Sequence, residues 1–305
     1  MGRKPRKGRS VDGIVLLDKP VSFGSNQVLQ RVKRLFNARK AGHTGSLDQL
    51  ASGLLPICLG EATKFSTFLL KSDKRYQAVF RLGVVTTTGD AEGEVTESHG
   101  YTPFSREQLE AVVGRFTGEI EQIPPMYSAI KHKGQRLYKL AHQGLEVERE
   151  PRRITIYSLE LRDFGDDFIA VEVLCSKGTY IRTLAEDMGK ALGCGAHVKA
   201  LRRTGVGPFE ASQMISLERL EQLAEKGIDA LDAVLVPMEA ALAGWPDVRL
   251  PENAAFYLKK GQPVLVPKSP TQGWVRLFAS GDRFIGAGEV LDDGRIAPRR
   301  LIAGN

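Results

Sequence analysis

Apolar positions along this chain change spacing several times, and each spacing predicts an element. "GIVLLDKP" (13–20) is an unbroken apolar run of strand length closed by proline, which predicts a short buried strand. In "SNQVLQRVKRLF", Val28, Val32, Leu35 and Phe36 fall at i, i+4, i+7 and i+8, one face of an amphipathic helix, with Arg31, Lys33 and Arg34 opposite. A loop punctuated by Gly42, Gly45 and Gly53 follows, then "LLPICL" and a short apolar helix carrying Phe65, Phe68 and Leu69. "RYQAVFRLGVVT" alternates in part and is strand-like; "TTGDAEGEV" is turn-rich and predicts a hairpin. Ser105 with Gln108 makes a capping box ahead of a helical pattern. "RITIYSLELRDF" and "FIAVEVLCS" predict two strands joined at Gly165-Asp166-Asp167, with "TYIRT" extending the second. Thr183 and Glu186 then read as another capping box, Leu184, Ala185, Met188 and Leu192 as a buried stripe, and Gly193 as the stop.

Strands and helices are mixed without regular βαβ alternation, which predicts an α+β fold with a mixed, largely antiparallel sheet and flanking helices. The texture changes around Gly244-Trp245-Pro246. Residues 246–305 show short strands between turn signals and no helix, which predicts a small C-terminal all-β barrel. The expected division is a basic disordered tail over 1–10, a main domain over 11–245 and the β domain over 246–305.

Composition adds a partner class. The 305 residues, 42% hydrophobic, suffice for a full core and a second domain. Lys and Arg outnumber Asp and Glu by 43 to 36, giving a net charge of +7, a balance that attracts polyanions. Three cysteines without C-x-x-C spacing disfavour a disulfide framework or a zinc knuckle and fit a reducing cytoplasm. No apolar segment approaches bilayer-spanning length, so no membrane role is expected.

Most chemical motifs are missing. There is no Walker loop, complete G-x-G-x-x-G, H-E-x-x-H or G-x-S-x-G, and the five histidines have no metal-ligand spacing, so neither a cofactor nor a metal is expected. "GHTG" matches the KH-type G-x-x-G only formally. What remains is Asp48, in the loop "KAGHTGSLDQLASG". The plain reading is an Asx-turn. The chemical reading is a nucleophile: the glycines let backbone approach a ligand closely, and an arginine from elsewhere would hold the carboxylate ionised. "SDKRYQA" and "CSKGTYIRT" offer Tyr76, Tyr180 and Arg182 in turn-like settings, where tyrosines could stack on a base.

Together "GHTGSLDQLASGLLPICLGEATK", "SDKRYQAVFRLG", "IPPMYSAIK", "CSKGTYIRTLAEDMG" and "LRRTGVGPF" resemble the bacterial TruB family of tRNA pseudouridine synthases, in order, from about Val11 to about Arg300. The resemblance implies the pseudouridine synthase fold, a PUA-like RNA-binding C-terminal domain, and isomerisation of the T-loop uridine, position 55, of elongator tRNA. It puts the nucleophile at Asp48, the stacking tyrosine and C5 proton acceptor at Tyr76, and the arginine paired to the aspartate at Arg182. Tyr180 and Leu201 match residues lining the uracil pocket, and His43 matches one that helps displace the flipped base. Flipping is required because a stacked nucleotide hides C1′ and C6. Attack at C1′, attack at C6 and a glycal route all remain open.

The family has proline after the aspartate; this chain has Gln49. With tRNA as partner, the basic segments 31–40, 131–139, 149–153 and 199–203 are expected to contact T-arm phosphates. A monomer without obligate protein partner is expected, since the compact C-terminal end lacks the long basic extensions of guide-RNA-dependent relatives. The rival reading is a catalytically weakened tRNA-binding protein or folding chaperone, with Gln49 as the mark of a decayed site.

Overall fold

The computed structural model describes residues 8–101 and 103–303. Its centre is a ten-stranded sheet. Along the main path the order is Ile215–Ser216, Gly13–Lys19, Ser52–Leu59, Ala196–Val206, Lys74–Leu82, Phe168–Cys175, Arg152–Phe164 and Gly118–Gln122. Only the Ile215–Gly13 and Ser52–Ala196 strand pairs are parallel among these neighbours, so the sheet is mixed and largely antiparallel, as the sequence predicts. The Gly13–Lys19 strand is buried on both faces, which is why it reads as a continuous apolar run rather than an alternation. Helix Ser25–Leu35 lays Val28, Leu29 and Val32 against it, each such side chain contributing about 1.5–3 kcal/mol.

On the other half of the sheet, Ala78, Phe80, Val171, Val173 and Leu201 form one core with Leu109 and Val112 of helix Arg106–Arg115 and Ile181, Leu184 and Met188 of helix Ile181–Leu192. The Ser105–Gln108 capping box and the left-handed Gly193 stop are both present. The Val84–Thr86 and Val95–Ser98 strands form the expected hairpin.

Four expectations fail. "TYIRT" does not extend the Phe168–Cys175 strand. The chain turns at Tyr180, extended at φ −104° and ψ 111°, and becomes helical at Ile181. The cause is Gln122, whose side chain accepts from the Tyr180 N–H at 3.0 Å and donates to its carbonyl at 3.2 Å. Thr183 therefore lies inside the helix, not at a cap.

The C-terminal unit does contain a helix, Glu252–Lys259, and its four strands form an open sheet, not a closed barrel. Pro251 and Gly261 bracket "ENAAFYLKK" with the proline-first, glycine-last asymmetry of helices, and Ala254, Ala255 and Leu258 bury one face beneath Val275, Leu277 and Ile285. The adjacent aromatics Phe256 and Tyr257, about half exposed, imitate a strand.

The basic tail is only partly testable, since residues 1–7 lie outside those described. Arg9 is not a solvated charge: it reaches the Phe36 carbonyl at 2.8 Å and Asp232 at 2.8 Å. The C-terminal unit also shares a core with the main domain. Phe278, Phe284 and Ala287 pack with Phe65, Leu69 and Phe209, and Phe68 meets Trp245 and Trp274 edge-on. Among the described residues, no helix is long and apolar enough to cross a membrane.

Candidate active site

The loop 44–51 links strand Ala41–His43 to strand Ser52–Leu59 and is pinned at both ends. Leu47 and Ala51 are buried in the core. The Leu47 N–H donates to Ser25 Oγ at 2.7 Å, and Ser25 Oγ donates back to the Leu47 carbonyl at 2.8 Å. The Gln49 carbonyl accepts from the Ser22 N–H at 2.8 Å and from Lys19 Nζ at 3.5 Å. Between these anchors Asp48 projects into the open, 45% of its side chain exposed.

The partner of Asp48 is Arg182, whose Nε lies 3.1 Å from Oδ2. The arginine itself is only 8% exposed and is held from three other sides: Nη1 donates to the Thr88 carbonyl at 3.0 Å, Nη2 to the Tyr127 carbonyl at 2.7 Å, and Asp90 lies 3.7 Å away. Among the described hydrogen bonds the Asp48 carboxylate takes none from the backbone, so the Asx-turn reading fails and the ion pair stands. Burial by the surrounding protein raises the Asp48 pKa above the ordinary carboxylate value; Arg182 lowers it, Asp90 raises it and Lys19 lowers it.

Two tyrosines lie within the field of this carboxylate. Tyr76 stands on strand Lys74–Leu82 opposite Arg203, and burial raises its pKa. Tyr180 is the residue clamped by Gln122, and burial raises its pKa too. His43 ends strand Ala41–His43; its Nδ1 is buried without a hydrogen-bond partner, and burial followed by Arg203 lowers its pKa. Leu201 is buried opposite Ala78 and borders a cavity of about 420 Å³ with Leu50, Ser52 and Gln77, a lining that does not include Asp48, Tyr76 or Tyr180.

Sequence reasoning missed three buried cations. Lys19 is fully buried, its Nζ donating to the Pro20 and Phe23 carbonyls at 2.9 and 2.6 Å, and burial lowers its pKa to about 8. Lys74 donates to the Leu69 and Leu70 carbonyls at 3.2 and 2.8 Å, with a pKa likewise lowered by burial to about 8. Arg203 is 1% exposed. That corrects its expected role as a phosphate contact: alternation along strand Ala196–Val206 sends Leu201 and Arg203 inward and Arg202 outward, where Arg202 pairs with Asp18 at 2.7 Å. Arg31 is likewise paired with Glu221, and Arg149 with Glu146. Gly53 also has a structural reason rather than a ligand: at φ +100°, a Cβ there would lie 2.2 Å from the Arg203 carbonyl.

No described group of His, Cys, Asp and Glu could hold a metal ion. The arrangement offers an ion-paired, half-exposed carboxylate in the field of two tyrosines.

Comparison with known proteins agrees on the class. A chain of a solved Cbf5–Nop10–Gar1 complex superposes with a TM-score of 0.74 at 27% identity, over 95% of this chain and 84% of that one. A chain of an H/ACA ribonucleoprotein bound to a substrate RNA containing 2′-deoxyuridine superposes equally well at 24% identity, which speaks for the fold alone. The fold is that of the pseudouridine synthases. The profile described as TruB family pseudouridylate synthase, N-terminal domain, matches residues 33–181; the tRNA pseudouridylate synthase B C-terminal domain matches 182–243; and the pseudouridine synthase II TruB C-terminal profile matches 246–302. The tRNA pseudouridine synthase B of Nitrosococcus oceani is 60% identical over 97% of this chain and 96% of its own. That of Pseudomonas aeruginosa is 56% identical over 99% of both. The chain belongs to the TruB family.

Gln49 can now be judged. Its carbonyl is engaged, its N–H donates to no acceptor among the described hydrogen bonds, and its φ is not positive, so proline would break no observed bond there. Gln49→Pro is expected to be tolerated, to gain about 0.4–1 kcal/mol of stability, and to have equal or higher kcat with KM little changed. Thermal unfolding and single-turnover rates check this; a slower, less stable variant would mean that the loop needs the glutamine N–H or side chain.

Proposed function

We propose that this chain isomerises the T-loop uridine at position 55 of elongator tRNA to pseudouridine, by flipping the nucleotide onto Asp48. Family membership makes it a tRNA pseudouridine synthase, an isomerase; the position and the aspartate mechanism are the finer reading. The observation that carries it is the Asp48–Arg182 ion pair at 3.1 Å, in which a buried, four-partnered arginine holds a solvent-facing carboxylate ionised. An intact pair disfavours the decayed-site alternative, because Gln49 removes no group that the chemistry uses. Asp48 attacks or supports the sugar or base, Arg182 keeps it charged, and Tyr76 stacks on the base and accepts the C5 proton. Tyr180 and Leu201 border the uracil, and His43 meets the displaced stack. No cofactor or metal takes part, and the enzyme acts as a cytoplasmic monomer without an obligate protein partner.

Release of tritium from an elongator tRNA transcript labelled at C5 of uridine tests this, since only C5 substitution frees that hydrogen. One equivalent of tritium released per tRNA, lost when position 55 is changed to cytidine, supports the proposal. Release unaffected by that change would contradict the position, and no release would contradict the reaction.

Phosphate binding falls to the exposed cations. The hairpin of Lys131–His132 and Gln135–Arg136 turns at Lys133-Gly134, both at positive φ, and exposes Lys131, Lys133 and Arg136; none of the three is in an ion pair among the described residues. Replacing all three with alanine is expected to weaken tRNA binding and to reduce the slope of log K against log salt by about one per lost contact. An unchanged slope would move the RNA path off this hairpin.

A further inference from the structure

Arg203 is the largest side chain in the described protein that is almost wholly enclosed, and the reaction as assigned above gives it no task. Its strand runs between two partners: Tyr76 lies opposite it in the antiparallel register and Gly53 in the parallel one. The guanidinium is fixed to backbone on both sides of Asp48, with Nε donating to the Leu54 carbonyl at 2.7 Å and Nη2 donating to the Gly45 carbonyl at 3.0 Å. Gly53, without a Cβ, lets this strand lie close enough for both bonds. Two of the five N–H donors are thereby used, and the planar fork leaves others free on the strand position directly across from Tyr76.

The surroundings are unusual in charge. Among the described residues Arg203 has no carboxylate at ion-pair distance, and Lys19 and Lys74, buried near it, are likewise held only by backbone carbonyls. Buried cations are costly; Lys19 has the field of Asp48 to offset that cost, whereas Arg203 stands directly across from Tyr76.

We propose that Arg203 is a positioning residue that acts through Tyr76: its anchored guanidinium donates to the phenol oxygen, aims it at C5 of the flipped base, and favours the phenolate that takes the C5 proton. This rests on the reading of Tyr76 as the proton acceptor. In that step C5 already carries its new bond to ribose C1′ and still holds its hydrogen. The C5–H bond breaks and the proton passes to the Tyr76 oxygen. The electron pair forms C5=C6, the N1=C6 pair moves onto N1, and N1 takes a proton from solvent; Tyr76 later returns its own to solvent.

The charged and titratable groups that face Tyr76 are Arg203 on one neighbouring strand, Cys175 on the other, and Asp48 on the loop above. Burial raises the phenol pKa; Arg203 opposes this, while Cys175 and Asp48 add to it. Arg203 is thus the single neighbour that favours the phenolate. His43, Lys19 and Lys74 are coupled in turn to Arg203.

The test is single-turnover rate on an unmodified T-arm stem-loop, from about pH 6 to about pH 10, the range that leads up to the ordinary tyrosine pKa. Arg203→Gln is expected to be slowed on the order of 10²-fold near neutral pH and to recover as pH rises, because the limb on which the rate climbs with loss of the Tyr76 proton has moved to higher pH. Arg203→Lys, which keeps the buried charge but not the fork, should fall between it and the wild type. In a Tyr76→Phe background neither change should slow the enzyme further. Should Arg203→Gln not fold, fluorotyrosine at position 76 in Arg203→Lys decides: its more acidic phenol should restore most of the rate near neutral pH. A loss that is independent of pH, adds to that of Tyr76→Phe and is not restored by fluorotyrosine would make Arg203 a structural strut and overturn the proposal. Full activity in Tyr76→Phe alone would instead show that the proton-acceptor reading had failed, and the proposal with it.

Discussion

Asp48→Asn is expected to lower the rate of pseudouridine formation by at least about 10⁴-fold, the scale on which loss of a nucleophile falls, while tRNA affinity stays within a small factor. The swap preserves shape and removes only charge. The carboxylate is 45% exposed and makes no backbone hydrogen bond among the described residues, so the loop keeps its anchors at Leu47, Gln49 and Ala51. Stability provides a second reading. The Asp48 pKa is raised in the folded protein, so the folded state binds this proton more tightly than the unfolded chain. Ionised Asp48 therefore costs stability above the folded pKa, and that cost disappears below the unfolded one. Asp48→Asn should be at least as stable as the wild type at neutral pH. A variant that turns over at near wild-type rate would end the assignment of Asp48 as nucleophile; one that loses binding and stability together would return Asp48 to a structural role.

Arg182→Leu is expected to lower kcat/KM on the order of 10²–10³-fold near neutral pH, and the loss should depend on pH. Arg182 is the largest influence holding Asp48 ionised. Without it the Asp48 pKa rises further, so the acid limb of kcat/KM moves to higher pH and the variant recovers part of its deficit as pH increases. Asp90, 4% exposed on its side chain and 3.7 Å from Arg182, loses the same partner, so the variant should also be less stable than the wild type. A pH–rate profile from acid to mildly alkaline conditions, with thermal unfolding alongside, measures both. An acid limb in the same place as the wild type would show that Arg182 does not control the charge on Asp48.

Much of the arrangement was legible because it is written locally. The apolar strand at 13–19, the stripe of the Ser25–Leu35 helix and the Ser105–Gln108 capping box each depend on residues a few positions apart. The Asp48 loop could be recognised from its own motif. The failures came where a distant residue decides. Tyr180 turns into a helix because Gln122, 58 positions earlier, holds both its backbone groups. The C-terminal helix was hidden by Phe256 and Tyr257, strand-favouring residues on its exposed side. Arg203 was hidden by its neighbour: in a Leu-Arg-Arg run both arginines look like surface charge, yet strand alternation from Leu201 already requires them to face opposite ways. Lys19 carried a similar signal as the last residue of a strand buried on both faces. No periodicity in the chain, however, indicates that the hydrogen bonds of Arg203 end on the Gly45 and Leu54 carbonyls, one on either side of Asp48.

The most direct measurement of the central claim, that Asp48 works on a flipped T-loop uridine, is carbodiimide mapping of an unmodified T-arm stem-loop after incubation with the purified protein and, separately, with Asp48→Asn. A single modified site at position 55 with the wild type, and none with the variant, is the expected result. A mark at another uridine, or the same mark with Asp48→Asn, would contradict it.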